Sequence, residues 1–547
     1  MKKSVSIILI ASVIMTLFTG CSGANNSSKG NLENSSGGEK VIRITVSGTP
    51  VIDPAIGISN SSAVAFVNLY DTLVFPTQEG VIPWLAERWD VSEDGKEYKF
   101  YLKKGVKFHD GSELLASDVV FSARRLLDIG EGFAYIYSDI IKDVEATDNY
   151  TVKFILNSSS GTFVDSLCRL YILNEDMVMN NKQEGPYGEF GDYGKDYLIT
   201  NDAGSGPYMA KELVQQDYFY AARFDDWHKG WEENSPDAFK MIDGTESATV
   251  RTMLANGQLE ISDMWQSKES LEALDKLDGV DLVVYSTRLV QNVFYNTTIA
   301  PTDDVNYRKA LSHLFDYNMI ANNIFVGSKL NYGPVSSYTA GNVKTTQYNY
   351  NIEKAEEYLS KSKYAQNYGD YTLEFLVNSD VADLEKVALA FQSAARQVGI
   401  TVEIKKVPWV TLQDRVSRPE TTPNLVSINS APQYNDAGAT LESGFHSKTA
   451  GTYENCHWAI SDEIDREIED ALATIDKEER FENYAVIQNK IVDEIVPEAW
   501  ISDLAERVAY RSTYIEWPAA TASKVGESYA YLMGYPFFFP DMKFIFE

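Results

Sequence analysis

Cysteine and histidine are scarce in this chain of 547 residues, which has three of the first and five of the second. No C-x-x-C pair is present, which argues against a zinc ribbon and a thioredoxin-like redox motif. Of the histidines (His109, His228, His313, His446 and His457), only His446 and His457 lie near a cysteine, Cys456. Adjacent residues rarely converge on one ion, so no metal is expected there. The G-x-S-x-G, H-E-x-x-H, P-loop and dinucleotide-binding patterns are also missing. With 79 Asp and Glu, pairs such as Asp110 and Glu113 arise by chance and do not make a glycosidase. Neither an enzyme nor a cofactor is expected. Basic residues are few as well: 48 Lys and Arg leave a formal charge of −31 at pH 7. Phosphate recognition needs a basic surface, so no nucleic acid is expected as a partner. The acidity reads as a soluble, non-sticking exterior.

What is present points to a folded protein exported from the cytoplasm. Hydrophobic residues make up 44% and aromatic residues 12% of the chain, with 33 Tyr and 9 Trp. Its length exceeds one hydrophobic core, so two or three lobes are expected. Lys2 and Lys3 precede a run from Val5 to Phe18 that is apolar apart from Ser6, Ser12 and Thr16. The run is shorter than the roughly 20 residues of a spanning helix. It ends at Phe18-Thr19-Gly20-Cys21, which resembles a lipobox, with Phe18 where Leu is usual. Residues 1–21 therefore read as a lipoprotein signal peptide and Cys21 as the lipid attachment residue. The Ser/Asn/Gly-rich stretch 22–40 reads as a flexible tether, spanning about 25 Å as a coil.

Residues 83–127 carry the clearest local logic. Tyr98, Phe100 and Leu102 alternate onto one face of a strand. Asp94-Gly95 marks the turn before it. Ser117 is placed to cap a helix with Val120, Ala123 and Leu127 facing inward. Further on, Val152, Phe154 and Leu156 alternate again, and Gly257 suits a helix C-terminus. From 371 to 407 the order is strand, helix, strand, with Gly399 as the helix stop, which implies a parallel pair joined by a crossover.

The runs LAERWDVSEDGKEYKFYLKKGVKFHDG and SDVVFSARRLLD resemble the signature region of the family 5 bacterial extracellular solute-binding proteins. These are the peptide-, nickel- and sugar-type receptors of ABC importers. Gly204-Ser205-Gly206-Pro207-Tyr208, Phe294-Tyr295-Asn296-Thr297 and Arg308-Lys309-Ala310-Leu311 continue the resemblance. It implies an α/β, two-lobed periplasmic-binding-protein-like fold with an inserted α+β domain. Domain I would comprise 41–77, 201–296 and 512–547, domain II 78–200, and domain III 297–511. Cys168 and Cys456 then fall in different lobes and are expected to be free thiols. The tail from Glu516 has no account at this stage. The implied molecule is a monomeric receptor, lipid-anchored on the outer face of the membrane. It would capture an oligopeptide, close about a hinge, and deliver the solute to a permease with its ATPase subunits.

The resemblance also nominates a site. A bound peptide would pair with backbone at Ile58, Ser59 and Asn60, and with the strand leading into Ser430-Ala431-Pro432-Gln433-Tyr434-Asn435-Asp436. Asn429, Ser430, Ala431, Gln433, Tyr434 and Asp436 are thus candidates. Trp409 fits a cleft-lining position or a core one, and Arg415 a carboxylate-holding position or a solvated one. Pro432 removes one backbone donor. Gln433 stands where the family has the Asp that grips the peptide ammonium, a charged bond of about 1.5–3 kcal/mol. That argues against a free-amine peptide unless Asp436 or Glu442 supplies the charge. A neutral oligosaccharide, suited to Gln433, Asn429 and Trp409, is the alternative cargo, and a surface hydrolase or adhesin the alternative class. The anchor reading predicts that labelled fatty acid is incorporated into the protein and is lost in Cys21→Ala. Label persisting in that variant contradicts it.

Overall fold

The computed structural model describes residues 39–545 except 79, 245 and 525–530. The signal peptide, Cys21 and residues 22–38 of the tether lie outside the described residues. No helix among the described residues is long and apolar enough to cross a membrane.

Two hydrophobic cores divide the described chain. The first gathers residues from Ile42 to Tyr285 and again from Val508 to Phe544. The second runs from Val290 to Ile501. The backbone therefore crosses between the lobes twice, at 286–289 and at 502–507. Cys168 and Cys456 are free thiols, each buried in a different cluster.

In the first lobe, Val41–Val46 buries Ile42 and Ile44 and pairs in parallel with Ala238–Asp243. Tyr218–Arg223 and Tyr208–Val214 extend this sheet antiparallel. A second sheet runs in the order Ala86–Val91, Glu97–Leu102, Thr151–Leu156, Ile141–Asp148. Tyr98, Phe100 and Leu102 bury as their alternation predicts, with Phe154 opposite Tyr98 and Val152 opposite Phe100. The preceding turn holds Gly95 at φ 66°, open to glycine at little cost.

The Ala116–Ile129 helix starts two positions earlier than expected. Leu115 is the N-cap and Ser117 is exposed. The start is tied by the Asp118 carboxylate, which accepts the Leu115 amide at 2.8 Å and the Glu175 amide at 3.0 Å. Val119, Ala123 and Leu126 face the core, while Val120 and Leu127 are only half-buried. An acid in the first turn does the capping that a serine ahead of it was expected to do.

That helix anchors the turn leading to the inter-lobe seam. Arg125, fully buried, donates Nη1–H to Asp53 Oδ1 at 2.7 Å and Nη2–H to Oδ2 at 2.6 Å. Its Nε–H goes to the Tyr193 carbonyl at 2.8 Å. Asp53 in turn accepts the Ala55 amide at 3.0 Å. Gly132, at φ 57°, lies so close that an added Cβ would meet the Ala55 carbonyl oxygen at 2.8 Å. The following Asn60–Leu69 helix is capped by Ser59 and buried along its length.

The second lobe is built on a six-stranded sheet: Lys329–Leu330, Glu498–Asp503, Val290–Tyr295, Leu425–Ser430, Thr372–Asn378, Thr401–Val407. The last two are parallel, with Thr372 opposite Thr401, and the Ala382–Gln397 helix crosses between them as the sequence indicates. The tail returns to the first lobe. Trp517 donates to the Pro536 carbonyl at 2.8 Å, and Asn68 Nδ2 to that of Phe537 at 2.8 Å. Phe537, Phe539 and Phe544 join the first core, so the tail seals the Asn60–Leu69 helix from outside. The architecture is a two-lobed α/β fold.

The buried pair predicts a large penalty when one partner is removed. Arg125→Met strands the Asp53 carboxylate and is expected to cost about 3–5 kcal/mol in urea unfolding. A loss under about 1 kcal/mol, as for a surface pair, contradicts the assignment.

Candidate ligand-binding site

A cavity of about 390 Å³ opens at the seam between the lobes. The first lobe contributes Ile56–Asn60, held by the Asp53 turn, together with Met264, Trp265 and Met533. The crossing segment supplies Thr287 and Leu289. From the second lobe come the carboxyl ends of two parallel strands: Asn378 and Asp380 after one, Ile428 and Asn429 on the other. Carboxyl ends of parallel strands leave a crevice where side chains of neighbouring loops converge, a common ligand position in α/β sheets. Trp409 and Gln413, on one face of the Trp409–Val416 helix, and Tyr453 complete that wall.

The predicted residues divide. Ile58, Ser59, Asn60, Trp409, Asn429, Ala431 and Gln433 all line the cavity. The amides of Ile58 and Ser59 have no protein partner among the described residues. Trp409 meets Tyr453 edge-on, ring centroids 5.2 Å apart, so two aromatic rings share the wall. The other four side chains are elsewhere. Ser430 lies behind the strand, where its hydroxyl accepts from Asn292 Nδ2 at 2.7 Å. Tyr434 is buried in the first core. Asp436 caps the Ala437–Phe445 helix and faces Arg480 Nη2 at 3.3 Å. Arg415 pairs with Glu374 and donates to the Thr421 carbonyl, away from the cavity.

Polar satisfaction on this wall is incomplete in one direction. Asn429 Oδ1 and Gln433 Oε1 are both buried without a hydrogen-bond partner. Buried acceptors without partners are uncommon, and these two lie on residues of the lining. Among the described residues no Lys, Arg or His lines the cavity, and Asp380 is the one carboxylate on it. Behind Ala431 lies a chamber of about 20 Å³, large enough for one water, that holds Glu454 and Glu498. Burial pushes the Glu454 carboxyl up to about 7 and raises that of Glu498 well above the usual range.

At the first crossing, Arg288 sits in left-handed backbone at φ 61° and donates Nε–H to the Tyr338 carbonyl at 3.2 Å. Thr287 donates to Glu506, whose carboxyl burial pushes up to about 8. The Leu504 amide bonds the Leu289 carbonyl at 2.8 Å, fastening the two crossings together. Asp380, Gln413, Tyr453, Glu454 and Met533 escaped the sequence reading. The end of the strand before Asp380 was the one usable signal; the other four arrive through tertiary packing.

Two lobes, a paired crossing and a cavity at the seam are the features of a two-lobed solute-binding protein. The chain belongs to the bacterial extracellular solute-binding proteins of family 5, whose middle-region model matches residues 80–452. It is 29% identical over 466 residues to the probable D,D-dipeptide-binding periplasmic protein DdpA of Escherichia coli K12. That match covers 81% of this chain and 84% of that protein. The Bacillus subtilis 168 oligopeptide-binding protein AppA is 23% identical over 524 residues, covering 90% and 93%. Among solved structures, the Helicobacter pylori binding protein DppA in complex with the peptide STSA matches at a TM-score of 0.79 and 22% identity, covering 92% and 98%. NikA of Staphylococcus aureus, in complex with Ni(L-His)2, matches at 0.73 and 18%, covering 88% and 97%. One fold thus serves different cargoes, and the cavity residues must decide.

Proposed function

We propose that this chain captures a short peptide for an ABC importer, through Ile58, Ser59, Asn60, Trp409, Asn429, Ala431 and Gln433. The observation that carries the reading is the seam cavity, where Ile58 and Ser59, whose amides have no partner among the described residues, and Asn429, Ala431 and Gln433 line one space. An extended peptide brings amide donors and carbonyl acceptors in alternation, so it can serve both walls at once. The cavity volume lies within the usual range for small-ligand sites, which favours a short peptide. Relatives named for dipeptides and oligopeptides support the class. In this reading the lobes close about 286–289 and 502–507, and the closed form is presented to a permease and its ATPase subunits. Cys21 carries the lipid that holds the monomeric receptor on the outer membrane face, on the tether 22–40. Domain II of the nominated scheme, 78–200, braces the Asp53 turn through Arg125.

A second reading is a neutral oligosaccharide, favoured by the paired rings of Trp409 and Tyr453 and by the amides of Gln433 and Asn429. Isothermal titration against a dipeptide and tripeptide pool and against an oligosaccharide pool separates the two. Peptide heat with a micromolar Kd, about −8 kcal/mol, and silence from the sugars is the expected result. Sugar binding with no peptide binding overturns it.

A further inference from the structure

Asp380, the carboxylate on the cavity lining, is open to solvent. It follows the carboxyl end of the Thr372–Asn378 strand, where its amide donates to Asn378 Oδ1 at 3.0 Å. Ser379 Oγ–H reaches Asp380 Oδ1 at 3.2 Å, and the Trp409 amide reaches Oδ2 at 3.3 Å. The second bond ties it to the start of the Trp409–Val416 helix, whose N-cap, Pro408, has no side-chain acceptor to give. A carboxylate offers about four acceptor positions, so these bonds leave part of it free.

No cation neutralises it. Asp380 forms no ion pair among the described residues, and the basic residues of the elements around it are taken. Lys386 binds Asp383 at 2.9 Å and Glu269 at 3.1 Å. Lys405 and Lys406 bind Glu403 and Glu385, and Arg415 binds Glu374. Arg507 stands among Asp383, Glu272 and Glu269. The bond from the Trp409 amide also sets the carboxylate beside a residue of the same lining, half-buried Trp409.

We propose that Asp380 and Trp409 form a cation-selective corner that takes a basic side chain of the peptide: the guanidinium or ammonium meets the Asp380 carboxylate, and the methylene stem lies along the Trp409 indole. This rests on the peptide reading above and narrows it to peptides that contain Lys or Arg. A guanidinium takes both oxygens of a carboxylate and stacks on an indole, and an ammonium gains from the same ring face. An acidic side chain finds no Lys, Arg or His on the described lining to receive it. The formal charge of −31 adds a long-range attraction for cations. An ion pair open to water contributes little alone, and with the ring it comes to about tenfold in affinity. The Trp409 bond taken by itself makes Asp380 a helix cap. An amide side chain keeps that cap and loses the charge, so D380N separates the two roles.

The test is titration calorimetry with tripeptide pools that differ in one side chain, basic, neutral or acidic, each also in N-acetylated form. The basic pool is expected to bind about tenfold more tightly than the neutral pool, and the acidic pool more weakly than either. Acetylation is expected to leave that order intact, because the side chain and not the amino end carries the charge. D380N is expected to bring the basic and neutral pools within about twofold of each other at an unchanged melting temperature, and D380K to favour the acidic pool. The order in the wild-type protein is read without any variant, so misfolding of D380K does not blunt the test. Equal binding of the basic and neutral pools, an order lost on acetylation, or a full basic preference in D380N overturns the corner and leaves the peptide reading standing. No binding of any pool overturns both.

Discussion

The structure depends on a bidentate ion pair that no solvent reaches. Asp53 and Arg125 meet through two bonds of 2.7 and 2.6 Å, with Arg125 fully buried. Desolvating two charges is costly, and the attraction offsets that cost only where geometry is good and the remaining donors are used. Here they are: Nε–H goes to Tyr193, and the Asp53 oxygen also takes the Ala55 amide. The pair therefore specifies a position as much as it stabilises one. It ties the 53–60 turn, which forms one lip of the cavity, to the helix at the end of the 83–127 stretch. The lip is thus rigid where it must offer backbone amides in a fixed register.

The opposite wall is organised by the absence of charge compensation. On the second lobe, buried acids near the cavity divide into those with a cation and those without. Asp436 and Glu442 have one, and their role is to start a helix and to fix a loop. Glu454 has none among the described residues, Glu498 has only His457 at 3.9 Å, and burial holds both carboxyls toward the neutral form. The crossing follows similar chemistry, with Glu506 buried beside Thr287 and the two crossings bonded to each other.

Much of the fold was legible because local rules and packing agree in it. The Glu97–Leu102 alternation, the glycine at 95 and the strand–helix–strand from Thr372 to Val407 each carry a period or a turn signal that the structure keeps. The helix at Ala116 starts two positions before expectation because Ser117 and Asp118 both offer a capping group, and the Asp also has the Glu175 amide to serve. On the candidate site, the linear motif nominated Gln433 and Tyr434 alike, and the fold brings only Gln433 to the cavity. Residues 433–436 form a bend after the Leu425–Ser430 strand, so neighbours in the motif leave it in different directions. Glu454 was invisible because nothing in its sequence neighbourhood marks it; it reaches Gln433 only through folding of the loop after the Ala437–Phe445 helix. The aromatic tail was unread for the same reason, since its partners, Asn68 above all, are distant in sequence.

The central claim is that the seam cavity holds a short peptide. Mass spectrometry of the small molecules released by denaturing protein purified without refolding tests it most directly. Short peptides, absent from an identically treated control protein, are the predicted result. An oligosaccharide or another non-peptide solute in their place contradicts it.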